Sequence, residues 1–289
     1  MTKQLSLIIL TYNSEKDIYD CLRSVYQYND IGDKLEIIVV DNNSAGFEAM
    51  RQNLQTQYPE VIVIKNEKNG GYGQGNNIGI KASSAPIIAI MNPDVRLIMP
   101  VFSTFLQVLA SDNVIMCGGK QYMENYQAIK SFDCDFMTPI IYQMILYPIW
   151  RRLDIFKSNK MWLSGAFFLI RKDLFTQIGL FDENIFMYCE ENDIMRRMHQ
   201  QHLNKKILFV PHLHYIHCIE ERQFSEKATE REFASQIYMC KKNNIPLHSF
   251  VKHEKRKFAI SRIITFLRTL KWGFSPYQKY KLQLLAKYQ

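Results

Sequence analysis

Over roughly the first 120 residues, short apolar runs alternate with segments of helical spacing. The order is Leu5–Leu10, a helix from about Ser14, Leu35–Val40, a helix near Phe47–Gln57, Val61–Lys65, a helix from about Gly75, and Ile87–Met91. Runs of this kind signify strands covered on both faces, and their alternation with helices predicts an α/β fold with a doubly wound, mostly parallel sheet flanked by helices. From Met161 the pattern changes to strands at Trp162–Ile170 and Ile207–Val210 around a helix opening near Glu190. Residues 121–160 are the least regular, and their apolar stretch TPIIYQMILYPIW reads as a helical pair or a lid. Beyond Ser249, apolar positions recur at 259/260, 263, 266/267 and 270, which predicts an amphipathic helical tail.

In doubly wound sheets ligands bind beyond the carboxyl ends of the strands. The residues following each run are therefore the candidates for chemistry, and all four tips are polar: Thr11-Tyr12-Asn13, Asp41-Asn42-Asn43-Ser44, Asn66 to Gly73, and Asn92-Pro93-Asp94.

Composition narrows the class. A chain of 289 residues that is 47% hydrophobic has ample material for a sizeable core. Its six cysteines stand at least 17 positions apart with no C-x-x-C pair, which argues against a zinc knuckle or disulfide framework and fits a reducing compartment. The opening apolar run is too short for a signal-peptide core and is expected to be the first strand. No uncharged run exceeds the fifteen residues of Phe136–Trp150, which contains two prolines and falls short of the roughly 18–20 needed to span a bilayer. The formal charge of +8 is uneven: from Ser249 onward ten Lys/Arg face one acid, Glu254, so the tail carries +9 and the remainder −1. A basic amphipathic helix of this kind suits an anionic lipid surface. No recognised nucleic-acid module accompanies the charge, so nucleic acid is disfavoured as a partner.

Individual motifs carry different weight. The loop NGGYGQGNNIG, Asn69 to Gly79, approaches a dinucleotide fingerprint, but it follows the third apolar run rather than the first. Tight turns and close helix packing explain part of it. Asp41 and Thr11 stand where they would meet a nucleotide's base or ribose, although Asp41 and Ser44 also suit a helix cap. Asp94 supplies the single carboxylate that Mg²⁺ or Mn²⁺ needs when phosphate and water complete the shell. In GLFDENIFMYCEENDIMRR, Glu190, Glu191 and Asp193 crowd three carboxylates at a helix start behind apolar neighbours. Mutual repulsion there raises a carboxyl pKa towards the range of a general base. In VPHLHYIHC, strand alternation places His212 and His214 on one face and His217 on the other, so one functional histidine, His217, is expected.

Taken in order, IILTYNS, IIVVDNNS, NGGYGQGNNIG, MNPD, WLSGAFFLIRKDLF, GLFDENIFMYCEEND and VPHLHYIH resemble the inverting family 2 glycosyltransferases with a GT-A fold. The likeness is strongest to the rhamnosyltransferase-like branch that builds bacterial surface polysaccharides, and it covers about residues 4 to 225. It implies that Thr11, Asn13, Asp41, Asn69, Asn77, Asn92 and Asp94 serve the nucleotide. Asn92-Pro93-Asp94 is the counterpart of the D-x-D motif, with Asp94 and His217 on a Mn²⁺ or Mg²⁺ ion, while Trp162 and Gly165 border sugar and acceptor. The family's base is the Asp of an E-D pair; this chain has Glu190-Glu191, so Glu191 matches it, with Glu190 and Asp193 as neighbouring catalytic candidates.

The resemblance further implies a donor such as dTDP-rhamnose or a UDP-hexose, a lipid-linked saccharide acceptor, and a place in O-antigen or capsule synthesis. The expected organisation is a transferase domain over residues 1–248, with its nucleotide half to about 120 and its acceptor half beyond. The basic tail, 249–289, would hold the protein at the cytoplasmic face of the membrane. The sequence leaves the oligomeric state open. Two other readings compete: an NAD-dependent oxidoreductase using the glycine loop, and a non-catalytic membrane-surface scaffold on a transferase fold.

Overall fold

Strand β1 (Leu5–Thr11) lies inside the sheet and shows how the sequence builds two cores at once. Leu5, Leu7 and Ile9 face one apolar cluster and Ile8 the other, the two-residue period of a strand buried on both sides. The computed structural model describes residues 2–201, 204–219, 224–270 and 273–288. Lys271 and the side chain of Arg268, two of the tail's basic residues, lie outside the described residues.

The chain continues through α1 (Glu15–Gln27), β2 (Leu35–Asp41), α2 (Phe47–Gln57), β3 (Ile62–Lys65), α3 (Tyr72–Ala82) and β4 (Ile87–Met91). β1 pairs in parallel with β2 and β4, and β2 in parallel with β3, as the alternation predicts. Thr11 and Asp41 are register partners, so the polar tips of successive strands come out along one edge. α1 buries Ile18, Cys21, Leu22 and Val25, a single helical stripe, against the sheet.

Beyond the fourth tip come β5 (Val95–Leu97), α4 (Phe102–Leu109), β6 (Val114–Tyr122) and β7 (Phe132–Cys134). A π-helical turn (Tyr142–Leu146) runs into α5 (Tyr147–Arg152), then β8 (Met161–Leu163), β9 (Phe167–Arg171), α6 (Lys172–Gln177), α7 (Glu190–Gln200) and β10 (Lys206–His217). The main sheet has the order β3-β2-β1-β4-β9-β6-β10-β5, with β9 antiparallel to both neighbours and β5 antiparallel to β10. β7 and β8 form a second, two-stranded sheet.

Two expectations need correction. The single strand anticipated over Trp162–Ile170 is divided, because the chain leaves the small sheet at Leu163 and enters the main one at Phe167. Its break at Ser164-Gly165-Ala166 is where the functional cleft opens. The strand anticipated at Ile207–Val210 continues to His217, through a register shift between Val210 and His214 around Pro211.

Three helices close the chain: α8 (Glu226–Lys242), α9 (Leu247–Thr269) and α10 (Pro276–Ala286). Phe250, Val251 and Phe258 of α9 join Phe233 and Ile237 of α8 and Leu284 and Leu285 of α10 in a third apolar cluster. Lys281 is almost wholly buried in it, 3.1 Å from the buried Glu254 and 2.9 Å from Glu232. Farther along α9 and at its C-cap the apolar stripe points outward: Ile260, Ile263, Leu267 and the capping Leu270 are 37%, 48%, 73% and 80% exposed. Among the described residues no helix is long and apolar enough to cross a membrane.

Candidate active site

Helix α7 has three faces, and each does something different. Asn192 and Arg196 turn towards β7, where the Arg196 guanidinium grips both oxygens of Asp135 at 2.6 and 2.7 Å and lies over the Phe136 ring. Asp193 and Arg197 turn away from the cleft. Asp193 takes Arg197 at 2.7 Å and Lys242 at 2.5 Å, while Arg197 donates to the Ile178 and Leu180 carbonyls. Asp193, grouped with the catalytic candidates on spacing alone, is thus committed to holding α7 on its neighbours. Of the three carboxylates, Glu190 and Glu191 line the cleft, with Asn192 beside them.

That first turn is set by unusual backbone. Tyr188 and Cys189 have φ of 72° and 76°, consecutive left-handed residues without glycine, a costly geometry of the sort that clusters at functional sites. Burial, then the charge of Glu191, pushes the Glu190 carboxyl well above the ordinary carboxylate range. Burial likewise lifts Glu191 to about 7, against backbone N–H groups of its own residue and Gly165 that favour the carboxylate. The repulsion expected from sequence is present, but desolvation outweighs it.

Gly165 is where the carboxylate and the chain break meet. A β-carbon there would come within 1.8 Å of Glu191 Oε1, so only glycine leaves room for this side chain. The Gly165 carbonyl accepts from the Tyr72 hydroxyl at 2.7 Å, and Trp162 Nε1 donates to the Cys134 carbonyl at 3.1 Å, which braces the same wall. Tyr72, Trp162, Gly165, Glu190, Glu191, Asn92 and His217 all line one cleft of about 870 Å³.

The fourth strand tip meets the same cleft through Asn92. Asn92 is held by its N–H to the Ala166 carbonyl at 2.8 Å, and the Asp94 carbonyl accepts from Cys218 N–H at 2.8 Å. Asp94 Oδ1 and His217 Nε2 approach to 3.3 Å, yet both atoms are buried without a hydrogen-bond partner. His217 Nδ1 is engaged by Gln121 Oε1 at 3.2 Å, which fixes the ring and leaves Nε2 to face the carboxylate. An orphaned carboxylate oxygen beside an orphaned imidazole nitrogen is a donor set that fits a divalent cation. Among the described residues no three His, Cys, Asp or Glu gather into a cage, so phosphate and water would supply the remaining ligands. His214 Nε2 is 2.8 Å from the Pro211 carbonyl oxygen, and His212 is exposed; neither joins His217.

Of the other predicted nucleotide residues, Thr11, Asn13, Asp41 and Asn69 stand at the tips of β1, β2 and β3 and are not among the residues lining that cleft. Asp41 is fully buried and accepts from the Thr11 hydroxyl at 2.9 Å, the Ser44 N–H at 2.7 Å and the Ser44 hydroxyl at 2.5 Å. Asn13, with φ of 53°, donates its N–H to Ser44 Oγ at 2.7 Å and remains exposed. Asn69 Oδ1 accepts from Gly71 N–H at 3.0 Å and Asn42 Nδ2 at 3.3 Å. Asn42 and Asn66, tip residues not singled out from sequence, complete that knot with a 2.8 Å bond. Their signal was only their place beyond β2 and β3.

Asn77 lies apart from the cleft, on a cavity of about 510 Å³, where its amide brackets the Phe181 backbone at 3.0 and 3.1 Å. The glycine loop is consumed by packing: Gly71, at φ of 92°, leaves no space before the Phe186 carbonyl, and Gly79 sits against Ile8 and Val40. Lys130, Glu232, Gln236, Lys257 and Tyr277 also line the cleft; from sequence Lys257 counts only with the basic tail, and the others are not singled out.

Comparison with known proteins agrees with this architecture. A hexosyltransferase of low-salt glycan biosynthesis from Haloferax volcanii, Agl10, is 26% identical over 209 residues, covering 71% of this chain and 64% of the relative. The rhamnosyltransferase WbbL of Escherichia coli is 21% identical over 261 residues, covering 84% and 96%. Among solved structures, the mannosyltransferase PcManGT from Pyrobaculum calidifontis, with GDP-Man and Mn²⁺, superposes at a TM-score of 0.58 with 14% identity over 100% of this chain and 70% of that one. TarS of S. aureus with UDP-GlcNAc gives 0.59 at 17% identity, over 93% and 76%. The shared fold is the GT-A arrangement of a curled, mostly parallel sheet flanked by helices. The profile described as Glycosyl transferase family 2 matches residues 6–179, and the chain belongs to that family.

Proposed function

We propose that the protein is an inverting, metal-dependent glycosyltransferase that moves a sugar from a nucleotide diphosphate to an acceptor hydroxyl in glycan or polysaccharide synthesis. The observation that carries this reading is one cleft lined both by His217, whose Nε2 faces the equally orphaned Asp94 Oδ1, and by Glu191, seated on Gly165. Asp94 and His217 would hold Mn²⁺ or Mg²⁺, which when bound supplies positive charge to the leaving diphosphate.

Glu191 accepts the proton of the acceptor hydroxyl. As that oxygen bonds to the anomeric carbon, the bond to the diphosphate breaks from the opposite face and the diphosphate departs with the electron pair. A base lifted to about 7 is matched to neutral pH. Burial, then the charge of Glu191, disfavours the ionised form of Glu190 beside it. Tyr72 and Trp162 fix the wall against which sugar and acceptor would lie.

The names of the relatives favour a rhamnosyl or hexosyl donor and an acceptor carried on a lipid. The outward stripe of α9 and the basic tail favour a peripheral position at the cytoplasmic face of the membrane. The deciding experiment titrates UDP, dTDP and NADH into the protein with and without Mn²⁺. Metal-dependent binding of UDP or dTDP, lost in Asp94→Ala with the fold intact, is the expected result. Preference for NADH, or binding indifferent to both metal and Asp94, would overturn the reading.

A further inference from the structure

Beyond the family-matched segment, which ends at residue 179, the helices α8, α9 and α10 send Glu232, Gln236, Lys257 and Tyr277 into the same cleft as Glu190 and Glu191. These side chains are built rather than incidental. Glu232 Oε1 accepts from Tyr277 hydroxyl at 2.9 Å, Lys281 Nζ at 2.9 Å and Gln236 Nε2 at 3.0 Å. Lys281 also donates to the Tyr277 hydroxyl at 2.8 Å. The Gln236 amide is therefore locked in orientation through its nitrogen. Its Oε1, in a residue only 6% exposed, has no partner. Glu190 Oε1, also buried in this cleft, has none either.

An unpartnered amide carbonyl in a buried position costs stability unless something donates to it. Apolar occupants would leave both atoms unsatisfied, and an anion would be repelled by the carbonyl oxygen. A polyhydroxylated ligand supplies hydroxyls that donate to Gln236 Oε1 and accept from the Lys257 ammonium, which gives one of its three N–H groups to Glu254. We infer that Gln236, with Lys257, forms an acceptor-saccharide subsite, so that acceptor choice is written in the appended helices rather than in the family-wide segment. This inference rests on the glycosyltransferase reading.

The test uses the full chain and two calorimetric titrations. One follows UDP or dTDP with Mn²⁺; the other follows a panel of octyl glycosides of glucose, galactose, N-acetylglucosamine and rhamnose. Wild type is expected to bind at least one glycoside saturably, and Gln236→Met to weaken that binding about tenfold, the loss of one hydrogen bond, with nucleotide binding unchanged. Lys257→Met provides a second variant should Gln236→Met unfold, with thermal melts as the check. Wild-type glycoside affinity in a folded Gln236→Met or Lys257→Met, or no glycoside binding by wild type, overturns the subsite. If nucleotide binding persists in those cases, the glycosyltransferase reading stands; loss of metal-dependent nucleotide binding in wild type fells that reading instead.

Discussion

Glu191 and Gly165 are fitted to each other: the glutamate's Oε1 occupies the space in which any other residue at 165 would carry its β-carbon. The carboxylate would have to swing aside to admit a methyl group. Gly165→Ala is therefore expected to lower transfer about 100-fold, the scale of a roughly 1 Å misplacement of a reacting group. The melting temperature should fall little, since the glutamate rather than the backbone gives way. Undiminished turnover in this variant would show that Glu191 does not work from this position.

Protonation gives a second handle. Glu191 titrates at about 7 in the folded chain against an ordinary 4.5, so the folded state binds more protons than the unfolded one between those values. Stability contributed by this group is present at low pH and is lost as pH rises through about 7. Transfer should rise over the same interval as the base ionises. Glu191→Gln is expected to abolish transfer and to melt higher than wild type at pH 8 by a margin that shrinks at pH 5. A margin independent of pH would contradict the assignment.

Lys281, which holds the cleft-lining Glu232 and Tyr277 from behind, offers a test of stability. Burial of its ammonium is compensated by Glu254, then Glu232, and its pKa is raised in consequence. Lys281→Ala would strand Glu254, which is fully buried, and should cost roughly 3–5 kcal/mol in a denaturant melt. Glu254 retains Lys257, so the lower part of that range is expected.

The outward half of α9 can be probed by single charges. Ile263→Glu and Leu267→Glu should each weaken binding to vesicles containing phosphatidylserine about tenfold or more, with melting temperature unchanged. Unaltered vesicle binding by both would place the membrane contact elsewhere.

How much of this was legible in the sequence follows from range. The parallel strands, their polar tips and the helix at Glu190 were readable because each depends on local periodicity and on one topological rule. The carboxylates at 190, 191 and 193 were readable as a cluster, yet their division of labour was not. Asp193 is claimed by Arg197 and by Lys242, and the latter lies on a different helix. Asn77 looked like a loop ligand but answers to Phe181. The cut in Trp162–Ile170 was hidden because the run is apolar throughout except at Ser164-Gly165, and only pairing with two different sheets reveals it.

β10 carries His217 as the register partner of Val95, next to Asp94, and residues 213, 215 and 217 share the buried side of the ribbon. Which side that is depends on the irregular step around Pro211. Inserting or removing one residue in that step would invert the phase of everything downstream, turning the imidazole outward while Ile216 took its place. Half of the Asp94–His217 pair is in this sense a matter of counting, fixed by a kink that belongs to neither residue.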